Sequence, residues 1–276
     1  MYQCWPLEIL ASDNKFNTVM LSRLFKKKSA AQPLDIARVP EGRRIYAIGD
    51  IHGRNDLLLK LIEKIDADDQ QRGKAATEII FLGDLIDRGP DSAGVIETAM
   101  KLKQERGHVR FLMGNHEEVY LAAAAGSEKA TRFFNRIGGK ETILSYEISI
   151  REYMDLDNNA LAERLPDLIP SHHIEFVKNF ENQIVIGDYA FVHAGIRPGI
   201  ALEEQKPKDL RWIREEFLSA KDPHEKVIVY GHTINDDVIE KGNRIGIDTG
   251  AYYTEKLTAL ALEGEQRWYL DTALSQ

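Results

Sequence analysis

Acidic, histidine and asparagine residues recur in this sequence beside glycines, in short segments that lie far apart along the chain. The segments are Gly49-Asp50-Ile51-His52-Gly53, Gly83-Asp84-Leu85-Ile86-Asp87-Arg88-Gly89-Pro90, Gly114-Asn115-His116-Glu117, Val192-His193-Ala194-Gly195, Gly231-His232-Thr233 and Ile247-Asp248-Thr249-Gly250. A single Gly-Asp pair is common in turns and carries little information. The ordered set is more informative, because its members repeatedly place carboxylate, imidazole and amide side chains beside glycines.

These side chains belong to the types that bind transition metals. Alternate residues of an extended segment point the same way, so Asp50 and His52 can face one ion. Asp, His and Asn offer oxygen and nitrogen donors suited to manganese, iron or zinc, whereas structural zinc sites use thiolates. Two metals about 3.5–4 Å apart, bridged by a carboxylate, activate water for in-line attack on phosphorus. The residue types therefore indicate metal-assisted hydrolysis of a phosphate ester.

Strand-like stretches precede these segments and would position them. The sequence predicts strands at residues 44–48, 78–82 and 109–113, and helices at 55–65, at 92–106 and from about Glu117. This alternation is typical of βαβ units with a parallel sheet. Ligands of open α/β sheets bind at the carboxyl ends of the strands. We therefore expect the segments to converge on one edge.

The second half of the chain is predicted to be helical first and rich in strands afterwards. Residues from about 120 to 180 form a helical insertion in this prediction. Further strands are predicted at 183–186, 189–192, 227–230, 244–247, 257–262 and 266–270, with a helix at about 208–218. The close spacing of these strands suggests antiparallel pairing. Since the segments span both halves, we predict one domain over residues 44–276, preceded by a tail or linker over residues 1–43.

In this order, the six segments resemble the phosphoprotein phosphatase branch of the calcineurin-like metallophosphoesterases, over about residues 44–262. The small bacterial and bacteriophage serine/threonine protein phosphatases are the most similar members, and the symmetrical diadenosine tetraphosphatases are relatives. The resemblance implies an α/β fold of two packed mixed β-sheets flanked by helices, here with the helical insertion. It also implies two divalent or transition metal ions, with manganese expected and iron or zinc as alternatives.

The resemblance assigns metal ligands to matching positions of this chain. They are Asp50 and His52 for the first metal, Asp84 as the bridge between both metals, and Asn115, His193 and His232 for the second metal. Asn115 is also expected to contact the substrate. Every ligand position is filled, which disfavours a scaffold that has lost its catalytic activity.

The remaining roles implied by the resemblance concern the leaving group and the phosphate. His116 would be the general acid, with Asp87 orienting it. Arg88 would bind the substrate phosphate. Arg214 is expected to be the second phosphate-binding arginine, with Arg211 as the alternative.

We therefore expect a metal-dependent phosphatase that hydrolyses phosphomonoesters in one step with a metal-activated hydroxide. Phosphoserine or phosphothreonine protein is the first choice of substrate, and phosphotyrosine or diadenosine tetraphosphate are the alternatives. Two departures bear on this choice. Ala194 stands where eukaryotic protein phosphatases have glycine, and Thr233 stands where the tetraphosphatases typically have tryptophan.

For other polar residues near the segments, the sequence predicts less specific roles. Asp248 is either a hydrogen-bond partner of a ligand histidine or a turn residue, and Tyr252 and Tyr253 either contact substrate or pack at a strand edge. Glu117 is expected to stabilise the first turn of its helix. The histidines outside the segments are expected to be surface or core residues; they are His108, His172, His173 and His224.

Composition limits the partners and the location of the protein. The 276 residues include 36 Lys and Arg against 44 Asp and Glu, a formal charge of −8. An acidic chain is a poor generic binder of nucleic acid, and we expect no such partner. The lone Cys4 fits a reducing compartment. No apolar stretch approaches the roughly 18 residues of a membrane helix, so we expect a cytoplasmic protein without a membrane partner. Met20 offers an alternative start.

Overall fold

Two five-stranded sheets lie at the centre of the structure, a computed structural model that describes residues 33–273. The strands are β1 (Arg43–Ile48), β2 (Ala76–Phe81), β3 (Val109–Phe111), β4 (Gln183–Ile186), β5 (Tyr189–Val192), β6 (Val227–Tyr230), β7 (Ile239–Lys241), β8 (Arg244–Gly246), β9 (Thr258–Glu263) and β10 (Gln266–Asp271). The strand order is β10-β9-β1-β2-β3 in the first sheet and β4-β5-β6-β8-β7 in the second. The predicted fold of two mixed sheets flanked by helices is confirmed.

Strand direction differs in part from the prediction for the second half of the chain. Strands β1, β2 and β3 are parallel, as predicted. The pairs β4/β5 and β9/β10 are antiparallel, because their connections are short. However, β5, β6 and β8 are mutually parallel, so antiparallel pairing is wrong for them. Longer segments connect these strands and allow crossovers.

Helices cover the outer faces of both sheets. They are α1 (Asn55–Gln71), α2 (Ser92–Arg106), α3 (Asn115–Ala124), α4 (Glu128–Ile137), α5 (Gly139–Leu144), α6 (Ile150–Asp155), α7 (Asn158–Leu168), α8 (Ser171–Lys178), α9 (Pro207–Trp212), α10 (Glu215–Leu218) and α11 (Ala251–Thr254), with 3₁₀ turns at Leu34–Ile36 and Leu202–Glu204. Helices α3 to α8 occupy the region of the predicted insertion. No helix within residues 33–273 is long and apolar enough to cross a membrane.

Alternation along the central strands produces the layered core. In β1, Ile45 and Ala47 join the cluster packed between the two sheets, whereas Tyr46 and Ile48 join the cluster under the helices. This period of two is the geometry of a strand that is buried on both faces. A third cluster packs α9 and α10 on the outer face of the second sheet. The strands that lead to the polar segments are thereby packed on both faces.

The predicted helix over 208–218 is broken, which is a correction. Helix α9 ends before Ile213, whose backbone is extended at φ −63° and ψ 144°, and α10 begins after Arg214. The physical reason is packing: the extended backbone at Ile213 accompanies burial of this side chain beside Phe217 in the outer cluster. Arg214 therefore lies at the junction of two short helices.

The chain enters the core before β1. Ala37 and Val39 are fully buried between the sheets, and the Val39 amide donates to the Gly264 carbonyl at 3.0 Å. The domain boundary at residue 44 stays a prediction, and these contacts favour an earlier one. Most of the predicted tail, with Met20 and Cys4, lies outside the described residues.

Candidate active site

The polar segments meet at the carboxyl ends of the parallel strands of both sheets. Asp50 follows β1, Asp84 follows β2, His193 follows β5 and His232 follows β6. Contacts across the two sheets join them: the Asp84 carboxylate lies 3.4 Å from His193 Nε2. These four side chains are buried. The convergence of the segments on one edge is therefore observed.

Asp84 is at the centre of the group. Its Oδ2 lies 3.7 Å from His52 Nε2 and 3.8 Å from His116 Nε2, while its Oδ1 faces His193. Two groups of donor atoms share this carboxylate, and within each group the atoms lie within 4.8 Å of one another. One group adds His52 and His116, and the other adds His193 and His232. Asp84 therefore lies within reach of both donor groups.

The ligands expected for the second metal are close together. His193 Nε2 lies 2.9 Å from Asn115 Oδ1 and 3.2 Å from His232 Nδ1. Asn115 is the first residue of α3, and Gly114 is the helix N-cap. A Cβ on Gly114 would lie only 2.2 Å from Asp84 Oδ1, so this position needs glycine. The close approach of α3 to Asp84 depends on that missing side chain.

Asp50 is placed differently from the other expected ligands. Its carboxylate accepts hydrogen bonds from the backbone N–H of His232, at 3.0 and 3.2 Å. Among residues 33–273 it belongs to neither close donor group, and His116 lies with His52 and Asp84 instead. The structure thus gathers the second-metal ligands more tightly than the first-metal ligands.

Backbone carbonyls orient two of the histidines. The Nδ1 atoms of His52 and His193 lie 2.8 Å from the carbonyl oxygens of Ile86 and Leu82. Donation from Nδ1–H to a carbonyl leaves the Nε2 lone pair free to bind a metal. Burial also lowers the pKa of His52 and His193, which favours the neutral ring that metal binding needs.

The surroundings of Asp50 test whether metal ions fit here. Burial, together with the charges of Asp248 and Asp84, raises the pKa of Asp50 well above its usual range. Burial likewise raises the pKa of Asp248 to about 6. Divalent cations would neutralise the carboxylates and would bind the ring nitrogens gathered beside Asp84, His193 Nε2 and His232 Nδ1, which lie 3.2 Å apart. The residues therefore fit a dinuclear site.

A second hydrogen-bond system surrounds His116. Its Nδ1 donates to Asp87 Oδ2 at 2.6 Å, and the Thr142 hydroxyl donates to Asp87 Oδ1 at 2.6 Å. Burial disfavours the charged ring, but Asp84 and Asp87 outweigh this effect and raise the pKa of His116. Thr142 lies in α5 of the helical insertion. No sequence signal identified Thr142, because its partner is 55 residues away.

The arginines differ in their contacts. Arg88 Nη2 lies 3.2 Å from His116 Nε2. Arg211 donates to Asn182 Oδ1 at 2.6 Å and lies 3.4 Å from Glu118 Oε2, so it is engaged away from the metal ligands. Arg214 instead interacts electrostatically with Asp84 and Asp50, and burial lowers its pKa. The choice of Arg214 as the second phosphate-binding arginine stays a prediction, and these electrostatic interactions favour it over Arg211.

Backbone strain concentrates at this site. Within residues 33–273, five of the six non-glycine residues with positive φ lie in its segments, and Glu255 is the sixth. The five are His52, Asp84, Asp87, Arg88 and His232, at φ between 47° and 74°. Such conformations cost of order 1–3 kcal/mol each and persist where the surrounding structure enforces them. The strain is consistent with side chains that are held for chemistry.

Three further residues contact the site. Glu117 is fully buried, and its carboxylate accepts hydrogen bonds from the backbone of Asp84, Leu85 and Gly114, a role beyond the expected helix turn. The Tyr252 ring lies edge-on to His52, with centroids 5.6 Å apart. Asp248 accepts from the Gly250 amide, as a turn residue does.

Comparisons with known proteins agree with this geometry. Residues 43–263 match the calcineurin-like phosphoesterase family. The chain is 27% identical to serine/threonine-protein phosphatase 1 of Salmonella typhimurium, covering 80% of this chain and 93% of the relative. It is 31% identical to the symmetrical bis(5'-nucleosyl)-tetraphosphatase of Cellvibrio japonicus, covering 80% of this chain and 70% of the relative.

The fold is also found among solved structures. A cold-active protein tyrosine phosphatase superposes with a TM-score of 0.54 at 17% identity, covering 85% of this chain and 82% of that one. At this identity the likeness concerns the fold alone. The family match is stronger evidence than the shared fold, since residues 43–263 include every polar segment from Asp50 to Asp248. With its donor set gathered around Asp84, the chain is a member of the calcineurin-like phosphoesterase family and a phosphatase.

Proposed function

We propose that this phosphatase hydrolyses phosphoserine and phosphothreonine in proteins, with His116 as the general acid. The observation that carries the proposal is the buried pair of His116 and Asp87, joined at 2.6 Å. A serine or threonine alkoxide is a poor leaving group that needs a proton, and general acid catalysis contributes typically 10²–10⁴-fold. A nucleotide leaving group is far more acidic and needs this help less.

The metal ligands of the proposed enzyme are Asp50, His52, Asp84, Asn115, His193 and His232. When bound, two metal ions would supply Lewis acidity toward the phosphoryl oxygens and lower the pKa of water. Manganese is the expected ion, with iron or zinc as alternatives. The strained backbone at His52, Asp84 and His232 would hold these donors in place before substrate arrives.

Arg88 connects phosphate binding to proton donation in this proposal. In the structure its guanidinium lies against His116 Nε2, the atom that must carry the proton, and its charge lowers the pKa of His116. A phosphate dianion would draw Arg88 away and neutralise it. His116 would then be protonated more readily, while its Nδ1–H stays on Asp87. Arg214 and Asn115 would contact the remaining phosphate oxygens.

Hydrolysis of dinucleoside tetraphosphates is the second candidate. The specific observation in its favour is the 31% identity to a symmetrical bis(5'-nucleosyl)-tetraphosphatase. Phosphotyrosine is a further alternative, and its aryl leaving group also needs little proton donation. An inactive scaffold is disfavoured, because every expected ligand position is filled and His52, His193 and His232 lie beside Asp84. The cytoplasmic location remains part of the proposal, as does the lack of nucleic-acid or membrane partners.

A substrate panel tests the proposal. The purified chain with manganese is compared by kcat/KM on phosphoserine and phosphothreonine peptides, a phosphotyrosine peptide, diadenosine tetraphosphate and single-stranded DNA. We expect the phosphoserine and phosphothreonine peptides to be preferred. Preference for diadenosine tetraphosphate would contradict the protein phosphatase proposal and support hydrolysis of dinucleoside tetraphosphates. Absence of turnover on every substrate, with metal bound, would support the scaffold.

A further inference from the structure

A group of metal-binding side chains also lies outside the candidate active site, between α2 and α8. It consists of Glu97 on α2 and of His172 and His173 at the start of α8. His173 Nε2 lies 2.7 Å from Glu97 Oε1, and His172 Nε2 lies 3.1 Å from the same oxygen. One donor atom of each residue lies within 4.8 Å of the other two. Two imidazole nitrogens thus converge on a single carboxylate oxygen.

His173 is held in the orientation of a metal ligand. Its side chain is 2% exposed, and its Nδ1 lies 3.1 Å from the Tyr146 hydroxyl, which in turn lies 2.9 Å from the Tyr120 hydroxyl. Metal-bound histidines almost always have such a partner on the second ring nitrogen, which fixes the ring. Burial also lowers the pKa of His173, and this favours the neutral ring.

The other side of the group is open to solvent. The side chains of His172 and Glu97 are 55% and 59% exposed, so water can occupy remaining coordination positions. Two histidines, one carboxylate and water form the donor set of open zinc sites. The oxygen and nitrogen donors also suit other first-row divalent ions.

We propose that Glu97, His172 and His173 bind a divalent transition metal ion such as zinc, at a site separate from the one around Asp84. The ion would link α8, the last helix of the insertion, to α2. Since it binds the folded chain, it would stabilise the packing of the insertion by mass action. Its effect on stability would therefore be independent of turnover.

Metal stoichiometry tests this site in the full-length protein. The chain is loaded with excess zinc, freed of unbound metal by gel filtration and analysed by mass spectrometry. We expect His172→Ala to hold one zinc ion fewer per chain than the wild type. His108→Ala, which removes an exposed histidine elsewhere, is the matched control and should keep the wild-type content. Phosphatase activity with manganese should be unchanged in both variants and verifies folding.

Thermal unfolding provides a second readout. Zinc should raise the Tm of the manganese-loaded wild type and of His108→Ala, and it should raise the Tm of His172→Ala and Glu97→Gln less. Equal zinc content in the wild type, His172→Ala and Glu97→Gln would overturn the proposal. An equal Tm shift in all four proteins would also count against it, since zinc would then act only elsewhere.

Discussion

The Glu117 carboxylate accepts a hydrogen bond from the backbone N–H of Asp84 at 2.9 Å, across 33 residues of sequence. Two more backbone N–H groups, from Leu85 and Gly114, donate to the same carboxylate at 2.8 and 3.0 Å. Asp84 holds a left-handed backbone conformation, at φ 49°. Glu117 therefore fixes the loop that presents the proposed bridging ligand. It also joins this loop to α3, which carries Asn115.

Glu117→Gln is expected to loosen this loop. The amide NH₂ would face backbone donors, and an unsatisfied buried group costs about 1–3 kcal/mol. We expect a lower free energy of unfolding by about that amount, and metal affinity reduced roughly 10–100-fold as for other supports of metal ligands. Urea unfolding measures the free energy of unfolding, and manganese titration measures the metal affinity. Glu105→Gln, on the exposed face of α2, is the control. Wild-type metal affinity in Glu117→Gln would contradict the positioning role.

His116→Asn tests the general acid and its pH dependence. The pKa of His116 is raised, so the protonated acid persists above the ordinary histidine value of roughly 6.5 and is lost as pH rises further. We expect kcat on phosphoserine peptides to fall along this alkaline limb, with little change for p-nitrophenyl phosphate. His116→Asn should lose about 10²–10⁴-fold on the peptide. Equal losses on both substrates would contradict acid catalysis, and His108→Asn is the control.

Thr142→Val tests how the insertion supports Asp87. The substitution removes the hydroxyl that donates to Asp87 Oδ1, while the side-chain shape is kept. We expect kcat on phosphoserine peptides to fall by about 10-fold, equivalent to about 1.4 kcal/mol. We also expect a change in the pKa that is read from the alkaline limb of the kcat pH profile. Thr131→Val is a matched control, because Thr131 is buried and its hydroxyl has no hydrogen-bond partner in the described chain. An unchanged pH profile in Thr142→Val would contradict the positioning role.

Arg211, in the last turn of α9, and Arg214, between α9 and α10, are distinguished by parallel substitutions. Arg214 interacts with the charges of Asp84 and Asp50, whereas Arg211 is bound to Asn182. We expect Arg214→Gln to lower kcat/KM by about 10²-fold, corresponding to about 2.7 kcal/mol of transition-state stabilisation. Arg211→Gln should change kcat/KM little and should lower Tm, because it loses the hydrogen bond to Asn182 and the ion pair with Glu118 that hold α9. The opposite pattern would assign phosphate binding to Arg211.

Local sequence patterns were sufficient for most of the elements and for the types of donor residue that follow the strands. Strand β1 and helix α2 lie where alternation and helical spacing predict them, and the predicted bounds of α2 agree with Ser92–Arg106. These patterns succeed because burial repeats every two residues in a strand and about every 3.6 in a helix. The glycine-linked donors also lie at strand ends, so their order along the chain predicted a shared edge.

Tertiary structure alone decided how these residues contact one another. Sequence spacing does not reveal that Thr142 holds Asp87, since the hydrogen bond depends on how the insertion packs. Likewise, the break before Arg214 follows from burial of Ile213, which overrides the helical pattern. The sequence by itself determined which donors reach the edge of the sheets. Packing of separate layers decided which donors touch, because contacts between distant residues depend on the whole fold rather than on local periodicity.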